Sequence, residues 1–252
     1  MRTNVGAIIL ALVVGAGLTV RAATVPELWP TNNVTLAGNA LSARLAELDA
    51  VTASLTEKIK PAVQLQKIIF QINANVPTTT HFAELEKFSK LPAEGEPLTQ
   101  AIRDVARVWL ARVQIKAIEA ALIQYYTHRV RFPASLSELG GALSLPLRID
   151  PWGEPWAYSI RAPRGLPKLT DQRYDLGTQK YPNLAKQKSL PVPVFTKVAM
   201  SQIGNDKTLT LDSAAGRAVI QPGGVAAGAT LLHIGDNWAL LASQDRLFAV
   251  KF

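Results

Sequence analysis

Residues 148–160 read RIDPWGEPWAYSI, and their reading decides the fold of the middle of this chain. Only five tryptophans occur in 252 residues, yet Trp152 and Trp156 stand four apart, each directly after a proline (Pro151, Pro155). Asp150 is placed to accept a backbone N–H at the start of a turn, Pro151 presets φ at the next position, and Gly153 closes it. That is the pattern of a type I turn. Trp152 and Pro155 then set the entry into a strand over residues 156–160. On that strand Trp156 and Tyr158 are two apart and share one face. Such aromatics are either the core of a small sheet or a platform on which a sugar or peptide could stack.

Upstream of this stretch the spacing predicts a long helix over residues 97–126. Pro97 suits its first turn, and Leu98, Ile102, Val105, Trp109 and Val113 line one face. Ile115, Ile118, Leu122 and Tyr125 continue a stripe that drifts around the axis, so other elements, here a small sheet, should wrap it. Phe132 and Pro133 then stop the helix, and Ser135 or Ser137 caps a short one that ends at Gly140 and Gly141. Further back, residues 37–73 place Leu41, Leu45, Leu48, Val51 and Leu55 at helical spacing, with Asn39 or Ser42 as cap. Pro61 predicts a kink there, or a break into two helices. Pro77 with the threonines after it reads as a loop, and so does 92–97.

In order, these signals, from AIEAALIQYYTHRVRFPASLSEL through LPLRIDPWGEPWAYSI to QRYDLGT, resemble the C-terminal head of the type II secretion major pseudopilin family. The resemblance covers residues 111–178 and rests on Phe132, Pro133, Asp150, Pro151, Trp152, Gly153, Pro155, Trp156, Tyr158, Tyr174 and Gly177. It implies a long helix packed on a small antiparallel sheet, working among the subunits of a secretion or pilus-like machine. Three departures limit what carries over. Residues 5–20 lack the Phe and Glu of a prepilin peptidase site. Some seventy residues with several prolines separate that segment from the head helix. The family's Asp-rich calcium loop is replaced by DLGTQKYPNLAKQK, where Asp175 is followed by lysines, too few oxygen donors for a hard cation. The head fold is therefore expected and the metal is not.

Arg2 precedes an uncharged block, VGAIILALVVGAGLTV at 5–20, followed by Ala22 and Ala23. This reads as a signal peptide or a membrane anchor over 1–23, either of which directs the chain to the cell envelope, facing the periplasm. Residues 179–194, with Pro191 and Pro193, read as a semi-rigid linker. After it, β-like runs at 195–203, 208–211, 217–220, 230–234, 238–242 and 246–252 alternate with turn signals. They predict a small all-β barrel or sandwich. Its rhythm resembles, more loosely, the periplasmic homology region of type II secretion clamp and pilus-assembly proteins. The expected organisation is thus α+β: anchor or signal 1–23, helical spacer 24–96, head 97–178, linker 179–194 and β domain 195–252.

The net charge of +8 and pI of 9.8 favour acidic partners. The basic residues are scattered, with no run of five and no zinc-finger or RNP pattern, so nucleic acid is not expected as a partner. Absence of cysteine excludes thiolate metal sites, disulfides, Cys nucleophiles and lipid attachment through Cys. His81, His128 and His233 lie far apart, and no HExxH, GxSxG, Walker A or GxGxxG occurs. Glu119 and Glu138 read as solvated helix carboxylates, and His128 as a cation complementing a helix C-terminus. The expectation is a non-catalytic assembly or scaffolding component without cofactor or metal. Its partners would be other secretion or pilus-system subunits, and the inner membrane through 5–20 if that segment is retained. The alternative is a periplasmic carbohydrate- or peptide-binding protein stacking its ligand on Trp152, Trp156 and Tyr158.

Overall fold

Proline and apolar spacing fix where the helices of the N-terminal half begin and end. The computed structural model describes residues 25–252 apart from 33, 77–78, 93, 143, 145–146 and 162–171. The apolar block 5–20 and the alanines after it lie outside the described residues. Among the described residues no helix is long and apolar enough to cross a membrane. A single turn, α1 (Val25–Leu28), comes first. Pro61 divides the next pattern in two: α2 (Gly38–Ser54) ends in extended backbone at Leu55, and α3 (Lys60–Asn73) carries the proline in its first turn. There the missing N–H costs no hydrogen bond.

A helix stands where a loop was expected. α4 (Thr79–Ser89) starts at the threonines after Pro77, because Phe82, Leu85 and Phe88 recur at three-residue spacing and turn one face inward. α5 (Pro97–Arg129) starts at Pro97 and runs to Arg129, three residues beyond the expected end. It stops at Val130, whose left-handed φ of 55° lets its N–H reach Tyr126 O at 2.7 Å. The short helix at Leu136–Ala142 is a 3-10 helix, and β1 (Ala157–Arg161) and β2 (Arg173–Gly177) form an antiparallel hairpin in register Ala157↔Gly177.

The remaining strands build two antiparallel sheets. β3 (Phe195–Ile203), β4 (Asp206–Ser213) and β5 (Gly216–Ile220) are ordered β3-β4-β5. β6 (Val225–Ala226), β7 (Ala229–Ile234), β8 (Trp238–Ser243) and β9 (Arg246–Lys251) are ordered β6-β7-β8-β9. Neither sheet closes on itself, so of the expected barrel or sandwich there is no closed barrel: two small open antiparallel sheets share a core. Their common core holds Leu209 and Leu211 from the smaller sheet and Leu231, Leu241 and Phe248 from the larger.

The larger sheet is buried on both sides. Alternation sends Ala239, Leu241 and Phe248 toward the smaller sheet and Trp238, Leu240, Ala242, Leu247 and Ala249 toward the helices. That second face packs with Leu28, Trp29, Phe70, Ile102 and Trp109 in one cluster, where Trp29 stacks on Trp238 at 5.9 Å. The packing therefore crosses the expected boundary between spacer, head and β domain. α5 joins them, giving Leu98–Leu110 to this cluster and Val108–Leu122 to the one around the hairpin. The 179–194 stretch is held as well: Leu184 and Leu190 are buried in the hairpin cluster.

Candidate functional site

The turn of the stretch at 148–160 forms as its residue types require. Gly153 N donates to Asp150 O at 2.9 Å, and Asp150 Oδ1 accepts the N–H groups of Trp152 (2.9 Å) and Glu154 (3.0 Å). Asp150 is 3% exposed, and its own N–H donates to Glu154 O. Pro151 occupies the first corner, and Gly153 takes φ +89°, a value open to glycine at little cost. Ile149 bridges to Pro155, so the turn closes as a miniature hairpin leading into β1.

The strand after the turn belongs to the core. Trp156 is 7% exposed, packs with Ile118, Leu122 and Leu176, and donates its Nε1 to Leu147 O at 2.9 Å. Tyr158 is half-buried and donates its hydroxyl to Pro133 O at 2.9 Å, tying β1 to the chain after the helix stop. Phe132 sits between Tyr126 and Tyr174, at ring-centre distances of 4.7 and 4.9 Å. Tyr174 donates to Glu119 Oε1 at 3.3 Å, and burial raises the Glu119 carboxyl pKa. Burial is also the first cause that pushes the Tyr158 and Tyr174 hydroxyls up to about 12. Gly177 ends β2 where a Cβ would come within 2.3 Å of the backbone oxygens of Tyr181 and Pro182. Glycine there permits close backbone approach.

Eleven residues chosen from the sequence thus share one region, around the Asp150–Gly153 turn and the β1–β2 hairpin. The three aromatics of the expected alternative platform do not form one. Trp156 is buried, the Tyr158 hydroxyl is engaged, and Trp152 meets Tyr181 edge-on at 6.0 Å with Lys180 Nζ 5.9 Å over its ring. Lys180 and Tyr181 also line a groove of about 420 Å³, together with Gln100 and Asp104 of α5 and Gln244. Asp175 pairs with Lys186 and Arg161, which hold its pKa below the usual range.

The histidines stay apart. His81 is buried on α4, and His128 lies in the last turn of α5 with Nδ1 2.8 Å from Gln124 O. His233 on β7 lies beside Trp238, its pKa lowered first by burial. Glu138 is not a free surface carboxylate: it accepts from Tyr125 and from Ala134 N. Among the described residues no three His, Cys, Asp or Glu side chains come together in a way that could hold a metal.

One polar cluster had no local sequence signal. Asp245, fully buried at the turn between β8 and β9, accepts from Arg112 Nη2 (2.9 Å), Arg246 Nε (3.1 Å) and Leu190 N (3.1 Å). Arg246 also donates to Thr31 O at 2.7 Å, and Trp109 Nε1 donates to Asp245 O at 2.6 Å. Burial lowers the Arg112 pKa even with the carboxylate beside it. One carboxylate thereby ties α5, the 179–194 stretch, the segment after α1 and the larger sheet together. The partners are 133 residues apart at Arg112 and Asp245, a separation no spacing rule can register. No family model, curated protein or solved structure matches this chain.

Proposed function

We propose that the protein is a non-catalytic component of a type II secretion or type IV pilus-like envelope machine, acting in assembly or scaffolding through protein–protein contacts. The observation that carries this reading is the use made of the Asp150–Tyr158 aromatics. They lock a hairpin against a 33-residue helix, the arrangement that the resemblance to pseudopilin heads implies. Stacking of a sugar would need the same rings free, and Trp156 is not free. Partner contacts are left to outward surfaces: the exposed Ile123 of α5, and, on the smaller sheet, the exposed Ile203 and Val219 and the strand edge that is unpaired among the described residues. Strand edges and isolated apolar side chains of this kind recognise other chains.

Because the chain has no cysteine, a single Ile123→Cys variant gives site-specific cross-linking in cells. The expected result is a cross-link to a secretion- or pilus-system subunit, with loss of secretion into the medium when the gene is deleted. Normal secretion in the deletion strain together with no cross-linked subunit would overturn the reading. Separation of membranes before and after a carbonate wash tests the associated expectation of an inner-membrane or periplasmic location.

A further inference from the structure

The two stacked sheets do not match strand for strand. The chain passes from β5 to β6 through the turn at 221–224, so these two strands share one side of the stack, and β4 lies against β7. Counted on from that side, the two strand orders set β3 across from β8 and leave β9 without a counterpart among the described strands. Val192, in the approach to β3, packs on the core at this end. Phe195, Val198, Met200, Val250 and Phe252 are only partly buried there. Among the described residues, the place of one strand, next to β3, is left open.

The edge of β3 suits an incoming strand. It is nine residues long and, among the described residues, pairs only with β4. The edge of β9 is covered instead, since Ala249 N donates to Trp29 O at 3.0 Å. β6 has two residues and β5 five. β3 carries no proline and a single charge, Lys197, and its one bulge lies at its start, between Phe195 and Lys197, so residues 198–203 lack the devices that blunt exposed edges. A two-residue turn at Gly204 (φ +61°) and Asn205 joins β3 to β4. Counted from that turn, the alternation of an antiparallel pair aims the N–H and C=O groups of Val198, Met200 and Gln202 away from β4.

Charge selects the occupant. On the outer face of the smaller sheet Lys197 stands opposite Asp212, and Asp212 opposite Arg217, which it holds through two hydrogen bonds of 2.7 and 2.9 Å. This positive–negative–positive row ends on Lys197 at the open edge, where an acidic residue would extend it. Residues 194–203 contain no acid, so a second copy of β3 has nothing to set there, and a net charge of +8 opposes self-association.

We propose that the free edge of β3 receives an extended segment of a partner protein, with an acidic residue opposite Lys197 and alternate apolar side chains toward Met200 and Val250. The proposal deepens the reading of this protein as one that works through protein–protein contacts and rests on it. Its test uses the full chain and a fluorescein-labelled nine-residue peptide of alternating valine and glutamate, followed by anisotropy. Gln202→Pro removes an outward N–H at an exposed edge position, where proline is tolerated in strands. Lys197→Glu reverses the charge, and thermal midpoints report that both variants fold.

The expected result is saturable binding that weakens by about tenfold or more in each folded variant. Absence of saturable binding would overturn the proposal, as would equal binding of a valine–lysine peptide or binding unchanged by Gln202→Pro. Sedimentation showing a dimer of the unliganded chain that Gln202→Pro abolishes would assign the edge to a second copy instead, also overturning it. None of these outcomes touches cross-linking from Ile123 or the secretion phenotype, so the two readings fail separately.

Discussion

Asp245 shows how much one side chain can be asked to do. It is fully buried and carries the only negative charge facing Arg112 and Arg246 among the hydrogen-bonded contacts described for them. Removing one member of a buried ionic cluster leaves the others desolvated and uncompensated, at a typical cost of about 3–5 kcal/mol. Asp245→Ala should therefore lower stability by about that amount in urea unfolding. A loss under about 1 kcal/mol would mean that water reaches the arginines when the carboxylate is absent. The tyrosines of the hairpin make a prediction in pH. An unfolded tyrosine ionises near about 10, whereas Tyr158 and Tyr174 are pushed up to about 12 in the fold. Between those values the unfolded chain has released protons that the folded chain keeps, so rising pH favours unfolding. This stabilisation is complete below about pH 10 and is lost as pH climbs through about 12. Urea midpoints measured across that window should fall, and the fall should be shallower for Tyr158→Phe and Tyr174→Phe than for the parent.

At the scale of elements, the end of α5 carries a backbone conformation unsuited to its residue. Val130 is β-branched, 52% exposed and left-handed at φ 55°. Glycine accepts that conformation freely, and little packing is lost at an exposed site, so Val130→Gly should raise stability by about 0.5–1.5 kcal/mol. Thermal or urea unfolding reads it directly; a loss of stability would show that the valine side chain contributes more than its conformation costs. The same helix shows where sequence reading succeeds. Pro97, Pro61, the Asp150–Gly153 turn and the strands between Phe195 and Lys251 are legible because each depends on residues within a few positions of one another. α4 is harder to see because Phe82, Leu85 and Phe88 are a short three-residue repeat placed just after a proline and threonines. That the larger sheet shares a core with the helices is harder to read for a different reason. WALLA at 238–242 and LFAV at 247–250 are continuous apolar runs, the mark of strands covered on both faces, yet such a run does not say which element supplies the second cover. The Asp245 cluster and the unmatched β3 edge are products of long-range packing and leave no pattern in a window of residues.

At the scale of the molecule, that second layer decides whether the C-terminal strands can stand alone. Leu232, Trp238, Leu240 and Leu247 face the helices, and all four are less than a tenth exposed. Burying a large apolar side chain contributes about 1.5–3 kcal/mol, so these four amount to about 6–12 kcal/mol. That is comparable to the whole stability of a typical domain, about 5–15 kcal/mol. A fragment of residues 190–252 would also lose Trp29 from the β9 edge and Arg112 from Asp245. It should therefore fail to fold as a soluble monomer, binding a hydrophobic dye or aggregating. The parent chain, sharing one core between helices and sheet, should unfold in a single transition with tryptophan fluorescence and far-ultraviolet circular dichroism coinciding. Trp238→Ala separates the two explanations for a failed fragment. If the helix-facing side of the larger sheet stabilises the whole chain, this variant lowers the urea midpoint of the helical signal and of the strand signal together. A dispersed, cooperatively melting 190–252 fragment, or a Trp238→Ala chain in which the helices alone melt early, would instead establish an independent β domain.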